Sequence, residues 1–345
     1  MRPLQLLVLF LLVTLPIASV LAQDAASAEL SAETINAADL ATVPAESLPP
    51  LVPDETTEPG DAPPPASPDP AIVKLQVLLD RAGASPGVID GFDGDNVRKA
   101  VRAFEMMHGL PEDGTVDEAV VAALDTTEPV VGGYEITPED VAAIGPPIPA
   151  DYAEMAQREF LGYASATELL AERFHMDEDL LRALNPAAQF IAGETVVVTA
   201  YGPDVTGRKV ARIEADKTAR QLRAYDATGA LVVAYPATIG SADNPSPSGT
   251  HLVAAVAPMP NYTYNPDVNF QQGENTDRLI IPPGPNGPVG SMWIDLTEPT
   301  FGIHGTPIPD TIDKTASHGC VRLTNWDAGE LAGLVEPGVP VDFVG

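Results

Sequence analysis

The chain is short of cysteine and of positive charge. Of its 345 residues one is cysteine, and 18 lysines and arginines stand against 49 aspartates and glutamates, for a formal net charge of −31. A single cysteine cannot close an intramolecular disulfide or build a thiolate-rich zinc site, so ordinary packing must hold the fold. So acidic a chain is not expected to bind nucleic acid. Long apolar runs are missing too, with one exception. Residues 4–17 are apolar but for Gln5, Thr14 and Pro16, and fall short of the ~18–20 apolar residues that a spanning helix needs. Arg2 ahead of the run and Val20-Leu21-Ala22 behind it make residues 1–22 a secretory signal, cleaved after Ala22, with no cysteine following for lipidation. The expectation is an exported chain with no stable membrane insertion after cleavage.

Proline and glycine are plentiful, at 36 and 28, and 45% of the residues are hydrophobic. That is enough to fill the two or three cores this length suggests at ~100–200 residues per domain. Residues 23–70 are different: ten acidic residues, no basic ones, ten prolines and no hydrophobic period. Such a segment buries too little to fold and is expected to be a disordered acidic tail.

Asp69-Pro70 opens the first folded unit as an N-cap and N1 pair. Ile72, Leu75, Leu78 and Leu79 form one helical face, Val97, Ala100, Val101 and Phe104 a second, and Ala119, Val120, Ala123 and Leu124 a third. The expectation is a small three-helix bundle over residues 71–126. Its order Leu75-Gln76, Gly83, Pro86-Gly87, Asp90-Gly91, Phe92, Gly94, Ala100-Val101, Phe104, Gly109-Leu110, Asp113-Gly114 resembles the helical peptidoglycan-binding domain of cell-wall enzymes. Glu105 departs from the glutamine common there, which leaves the fold intact and weakens the case for glycan contact at that spot. Asp90, Asp93 and Asp95 lack the central glycine and closing glutamate of a calcium loop. His108 is placed to meet free carbonyls at the helix end beside Gly109.

A linker is expected over residues 127–154, then a small α/β module over 155–200. Ser165 and Glu168 read as a capping box ahead of two short helices, Asn185-Pro186 breaks the second, and residues 195–199 form a strand. The order resembles the glycan-binding LysM module, although its opening strand is not evident. A packing spacer is the alternative, with His175 an ordinary, partly buried member of it.

From residue 208 to 345 the pattern is mostly β. Strands are expected at 210–215, 221–225, 231–238, 251–256, 292–296, 301–304, 320–323 and 339–344, with one helix at about 325–335. Cys320 lies in Ser317-His318-Gly319-Cys320-Val321-Arg322-Leu323, and His304 stands sixteen residues upstream in Gly302-Ile303-His304-Gly305-Thr306. A thiol of pKa ~8.5 needs a neighbouring base or positive field to act as a nucleophile, and His304 is the natural base. Arg322 follows by two residues and in a strand would share the face of Cys320. It would hold a substrate carboxylate or pair with an acid such as Asp327. Trp293 and Trp326 read as core residues.

These residues, with Gly240, Pro247-Ser248-Gly249, Asn265-Pro266, the loop from Pro283 to Gly290 and Asn325-Trp326-Asp327, resemble the L,D-transpeptidases with their YkuD-type catalytic domain. The resemblance implies that Cys320 attacks the L-to-D bond of a stem tetrapeptide, releasing D-alanine and leaving a thioester. It implies that His304 takes the thiol proton and that the Gly305 carbonyl orients its imidazole. Backbone N–H groups of Gly319 and Cys320, helped by His318, would stabilise the oxyanion. Asn286 and Ser317 join Arg322 as expected substrate contacts. The acyl group would pass to a stem-peptide amine as a 3→3 cross-link. The same residues would serve a carboxypeptidase or endopeptidase, or transfer to a wall-anchored protein, and a non-catalytic wall-binding protein is the rival of a different class. Partners would be peptidoglycan stem peptides and glycan strands, and the site periplasmic or cell-wall associated. No cofactor is implied. A metal on His304, His318 and Asp310 or Asp313 lacks tight ligand spacing. Asp313 replaces a glycine frequent in the family, and is expected to alter the turn and access to the site.

Overall fold

The computed structural model describes residues 30–43, 67–241, 244–268, 270–315 and 317–345. The signal assigned to 1–22 lies outside them. The acidic tail is not uniformly unstructured: helix α1 (Ala32–Ala37) is closed by a capping box between Ser31 and Thr34 and is followed by a 3₁₀ turn at Leu40–Thr42. Ile35, Leu40 and Val43 are buried in the core of the N-terminal region. The change from α to 3₁₀ breaks the spacing of these three apolar residues, which is why no period betrays them.

Helices α2 (Pro70–Arg81), α3 (Asp95–His108) and α4 (Glu118–Ala123) follow. Asp69 caps α2 by accepting from Ala71 N–H, and Gly109, at φ 66°, ends α3 in the left-handed conformation. Glu105 is 1% exposed and accepts from Gly114 N–H at 2.8 Å, so it anchors the turn before α4 and is closed to a ligand.

The expected linker is folded. It holds strand β1 (Val131–Glu135), α5 (Pro138–Ala142) and α6 (Tyr152–Met155), and precedes α7 (Ala166–Arg173), α8 (Glu178–Leu184) and β2 (Thr195–Thr199). β1 pairs antiparallel with β2, Val131 opposite Thr199 and Glu135 opposite Thr195. Gly132-Gly133 depress the strand propensity of β1, and with β2 more than sixty residues away nothing local marks the pair. One buried cluster joins α1 through β2, so these modules share a core.

The C-terminal unit contains β3 (Arg212–Asp216), β4 (Gln221–Tyr225), β5 (Leu231–Pro236), β6 (Thr238–Ile239), β7 (Gly249–Pro258), β8 (Tyr262–Tyr264), β9 (Leu279–Ile281), β10 (Met292–Leu296), β11 (Gly302–His304), β12 (Val321–Arg322), helix α9 (Asn325–Leu334) and β13 (Pro340–Val344). Nine strands form one sheet in the order β5-β4-β3-β13-β7-β10-β11-β12-β6, and β8 and β9 make a separate hairpin. The chain passes from the edge strand β5 to the opposite edge strand β6 across Ala237 alone, so the sheet nearly closes on itself. Ile213, Leu222, Val233, Ile294, Ile303, Val321 and Leu331 fill it. The N-terminal core is fastened to the edge at β5, where Ser85 N–H donates to Ala234 O and Ala234 N–H to Gly83 O, each at 2.9 Å.

Candidate active site

β11 and β12 run parallel, with Ile303 opposite Val321 and His304 opposite Arg322. Ile303 and Val321 are fully buried in the sheet's core. By strand alternation their chain neighbours take the other face, and Cys320, His304 and Arg322 line one cleft of about 430 Å³. Gly319 turns the chain into β12 at φ 103°, and a Cβ there would sit 2.5 Å from the Phe301 ring. Gly305 is equally constrained, since a Cβ would meet Asn325 Oδ1 at 2.1 Å.

His304 is 6% exposed, and its Nδ1 lies 2.6 Å from the Gly305 carbonyl. A carbonyl can only accept, so the proton sits on Nδ1 and Nε2 is left as the basic nitrogen. Burial lowers the imidazole pKa to about 4; the Gly305 bond works against this and the Arg322 charge adds to it. Part of Cys320 opens to the cleft, yet burial pushes its thiol up, against a backbone hydrogen bond from Gly302 and the field of Arg322. The Sγ approaches Thr300 O at 3.8 Å. At neutral pH the pair therefore rests as thiol and neutral imidazole.

Among the described residues Arg322 has no ion pair. Asp327, the acid suggested for it, lies elsewhere, beside Asp80 and His175. His318 is exposed at the cleft and stacks on Phe270 with ring centres 4.1 Å apart. Ser317 lines the cleft, but its hydroxyl donates to Cys320 O at 2.7 Å and accepts from Gly240 N–H at 2.7 Å, so it braces the turn. Asn286 does not reach the cleft. Its amide donates to Gly162 O at 3.0 Å and to Glu168, and its backbone N–H to Leu161 O at 3.0 Å. The loop from 282 to 290 faces the cleft through Pro288 and Val289 instead.

Several further residues line the cleft that were not expected from the sequence. Trp293, read as core, is half-buried at the cleft, with its indole near-parallel to His304 at 5.6 Å. Tyr262 and Phe270 come from the long connection between β7 and β9, and Tyr152 from the presumed linker. An aromatic cluster on that connection was the available signal, whereas nothing local marks Tyr152. A second cavity of about 460 Å³ adjoins the first and shares Tyr262, Val268, Val289, Trp293 and Thr300 with it. Asp313 takes φ 67°, the left-handed conformation in which glycine is at ease. Its carboxylate meets Lys99 Nζ of α3 at 2.7 Å and Arg220 Nε at 2.8 Å. Among the described residues no three His, Cys, Asp or Glu side chains gather as a metal site.

The nearly closed sheet thus brings a cysteine at the start of β12 and a buried histidine at the end of the adjacent parallel strand β11 to one cleft. Residues 210–342 match the family model described as the L,D-transpeptidase catalytic domain, and residues 68–124 that described as a "Putative peptidoglycan binding domain". The chain is 30% identical over 180 residues to the "Putative L,D-transpeptidase YkuD" of Bacillus licheniformis, covering 51% of this chain and 92% of that protein. Over 57 residues it is 46% identical to the protein of the same description in Bacillus subtilis, covering 16% of this chain and 35% of that one. Among solved structures, an L,D-transpeptidase from Mycobacterium smegmatis aligns over 45% of this chain and 64% of its own, at 20% identity and TM-score 0.33. The chain belongs to the L,D-transpeptidase family.

Proposed function

We propose that this chain is an exported peptidoglycan L,D-transpeptidase that forms 3→3 cross-links. Cys320 Sγ attacks the carbonyl of the L-to-D bond in a stem tetrapeptide while its proton passes to His304 Nε2. N–H groups of Gly319 and Cys320, with His318 beside them, receive the oxyanion. The intermediate collapses as the imidazolium protonates the leaving amine, D-alanine departs, and a thioester remains. An acceptor amine then attacks the thioester carbon, gives a proton to His304 and expels the thiol. The Gly305 carbonyl holds the imidazole in the tautomer both steps need.

The observation that carries this reading is the shared cleft of Cys320, His304 and Arg322 beside a second cavity that joins it at Tyr262, Trp293 and Thr300. Two cavities meeting beside one thiol suit a donor and an acceptor, and a held amine competes with water through proximity. A hydrolase needs one. The peptidoglycan-binding domain and the glycan strands it would grip bring the enzyme to its substrate outside the cytoplasm.

Intact mass after incubation with a carbapenem, an acylating agent for thiols of this family, tests the nucleophile. One adduct is expected on the wild type and none on Cys320→Ser. His304→Ala should slow acylation ~10²-fold or more, the scale of a lost general base. An equal adduct on Cys320→Ser would remove the assignment. With a disaccharide tetrapeptide, dimers that have lost D-alanine are expected, and tripeptide alone would make the protein a carboxypeptidase.

A further inference from the structure

Helix α6 lies in the half of the chain that precedes the catalytic domain, yet the segment around it is built into the active site. Tyr152 N–H donates to Gln272 Oε1 at 3.1 Å, Gln272 Nε2 to Ala150 O at 2.9 Å, and Asn275 Nδ2 to Asp151 Oδ2 at 3.1 Å. Further along, Leu161 N–H donates to Pro283 O at 2.9 Å, and Leu161 is fully buried with Tyr264 and Ile281. The segment thus straps the connection between β7 and β9 and the loop after β9 from one side.

The Tyr152 ring meets Tyr264 edge-on at 5.3 Å, Tyr262 at 6.0 Å and Phe270 at 6.1 Å. Phe270 in turn stacks on His318, two residues before the nucleophile. Tyr152 lines the same cleft as Cys320 and Arg322, and lies close enough to Arg322 for each to act electrostatically on the other. Among the described residues its phenol has no hydrogen-bond partner, and burial pushes that phenol up to about 12, so it is a neutral O–H donor at physiological pH. A guanidinium without an ion pair and a phenol O–H facing one cleft are both donors, and the ligand chemistry that satisfies both is a carboxylate.

We propose that Tyr152 is a substrate-positioning residue contributed from outside the catalytic domain, which with Arg322 holds a carboxylate of the donor peptide over Cys320. The inference rests on the transpeptidase reading and deepens it. The strap makes this side of the site depend on the N-terminal half of the chain.

Steady-state kinetics of full-length wild type, Tyr152→Phe and Tyr152→Ala, with a stem tetrapeptide and with the same peptide amidated at its carboxylates, test it. Tyr152→Phe keeps the ring and its packing, and should raise KM for the free peptide ~3–10-fold while kcat stays within about twofold. Tyr152→Ala should raise KM more. For the amidated peptide, wild type and Tyr152→Phe should have equal KM. Alkylation of Cys320 by iodoacetamide, which needs no peptide recognition, should stay within about twofold in all three. Equal KM of wild type and Tyr152→Phe for the free peptide, or the same KM increase for both peptides, would overturn the proposal. Calorimetric binding of the tetrapeptide to C320S and C320S/Y152F separates the two ideas. A wild type without turnover sinks the transpeptidase reading, whereas equal affinity of those two variants sinks the role of Tyr152.

Discussion

The chemistry of Cys320 and His304 turns on where each is buried. A cysteine protease holds a thiolate beside an imidazolium, but here burial works against both charges, raising the thiol and lowering the imidazole to about 4. On the proposed mechanism the ion pair forms only when a substrate arrives to receive the electron pair. Alkylation of Cys320 should therefore keep rising beyond pH 9 with no plateau near neutrality, and kcat/KM should hold down to about pH 5 and fall toward 4. A plateau in alkylation below pH 7 would mean a resting thiolate. That these two residues meet in one cleft was legible because the motif sets them beside glycines where a Cβ would clash, Gly305 and Gly319. Asp313 was legible only as a departure. Its use is tertiary, since its carboxylate holds Lys99, a buried cation whose acceptor is Asp313, and also Arg220. Asp313→Asn tolerates the left-handed backbone and removes the charge, and should cost about 3 kcal/mol, as breaking a buried pair does. Lys99→Met should cost less, because Arg220 remains on the carboxylate. Urea unfolding of both variants checks the order, and the reverse order would mean that Arg220 alone sustains the loop.

At the scale of elements, the strands of the nine-stranded sheet were readable to within a few residues, because β-branched runs between Gly or Pro loops mark them, whereas the short β8 and β9 were not expected. What was missed shares a cause: α1, β1 and α6 are short, carry few apolar residues, and are stabilised by partners far along the chain. Asn36 illustrates the point. Its side chain accepts from Val130 N–H at 2.8 Å and donates to Val131 O at 3.1 Å, so the supposed tail sets the start of β1. The strap around α6 docks against Gly284, where a Cβ would lie 2.1 Å from Leu161 O. Backbone cannot yield as a flexible side chain can. Gly284→Ala should therefore lower stability by about 2 kcal/mol or more and raise hydrogen exchange across residues 259–278 and 145–163, with the rest of the sheet unchanged. Unaltered exchange in both segments would show that the strap and the loop move independently.

Across the whole molecule, three parts of the chain meet at a cluster of ionisable groups. His175, at φ 56°, sits between Asp80 of α2 and α9, with Nδ1 2.8 Å from Asp80 Oδ2 and its ring stacked on Tyr201 at 3.8 Å and Trp326 at 5.0 Å. Nothing local marks it as more than a packing residue, since Asp80 and Trp326 stand 95 and 151 residues away. Around it lie Asp204, Asp327 and Glu330, with Tyr235 donating to Glu330 at 2.8 Å. Burial opposes protonation of His175, but the Asp80 charge and bond, with Asp327 and Asp204, raise its pKa overall. Burial and then Asp80 push Asp327 up to about 7, against bonds from Thr324 and Ser85 and the charge of His175. Burial likewise raises Glu330. Asp327 binds a proton more tightly folded than unfolded, so its contribution to stability is full below about pH 4 and is lost as pH rises through 7. His175 works in the same direction, its contribution being lost as pH rises through its raised folded value. His304, lowered to about 4, opposes them, because its burden on the folded state is relieved as pH climbs from 4 to 6.5. Comparing the wild type with Asp327→Asn cancels the His304 part, since both chains carry it. The Tm of the variant relative to wild type should rise between pH 5 and 8, by ~5–10 °C if ~2–4 kcal/mol is at stake. The gain should appear in the unfolding of both halves of the chain, since α2 and α9 share the cluster. A Tm difference that stays constant with pH would mean that Asp327 is ionised throughout, and that the junction is held by the stacking of His175 between its two aromatic neighbours.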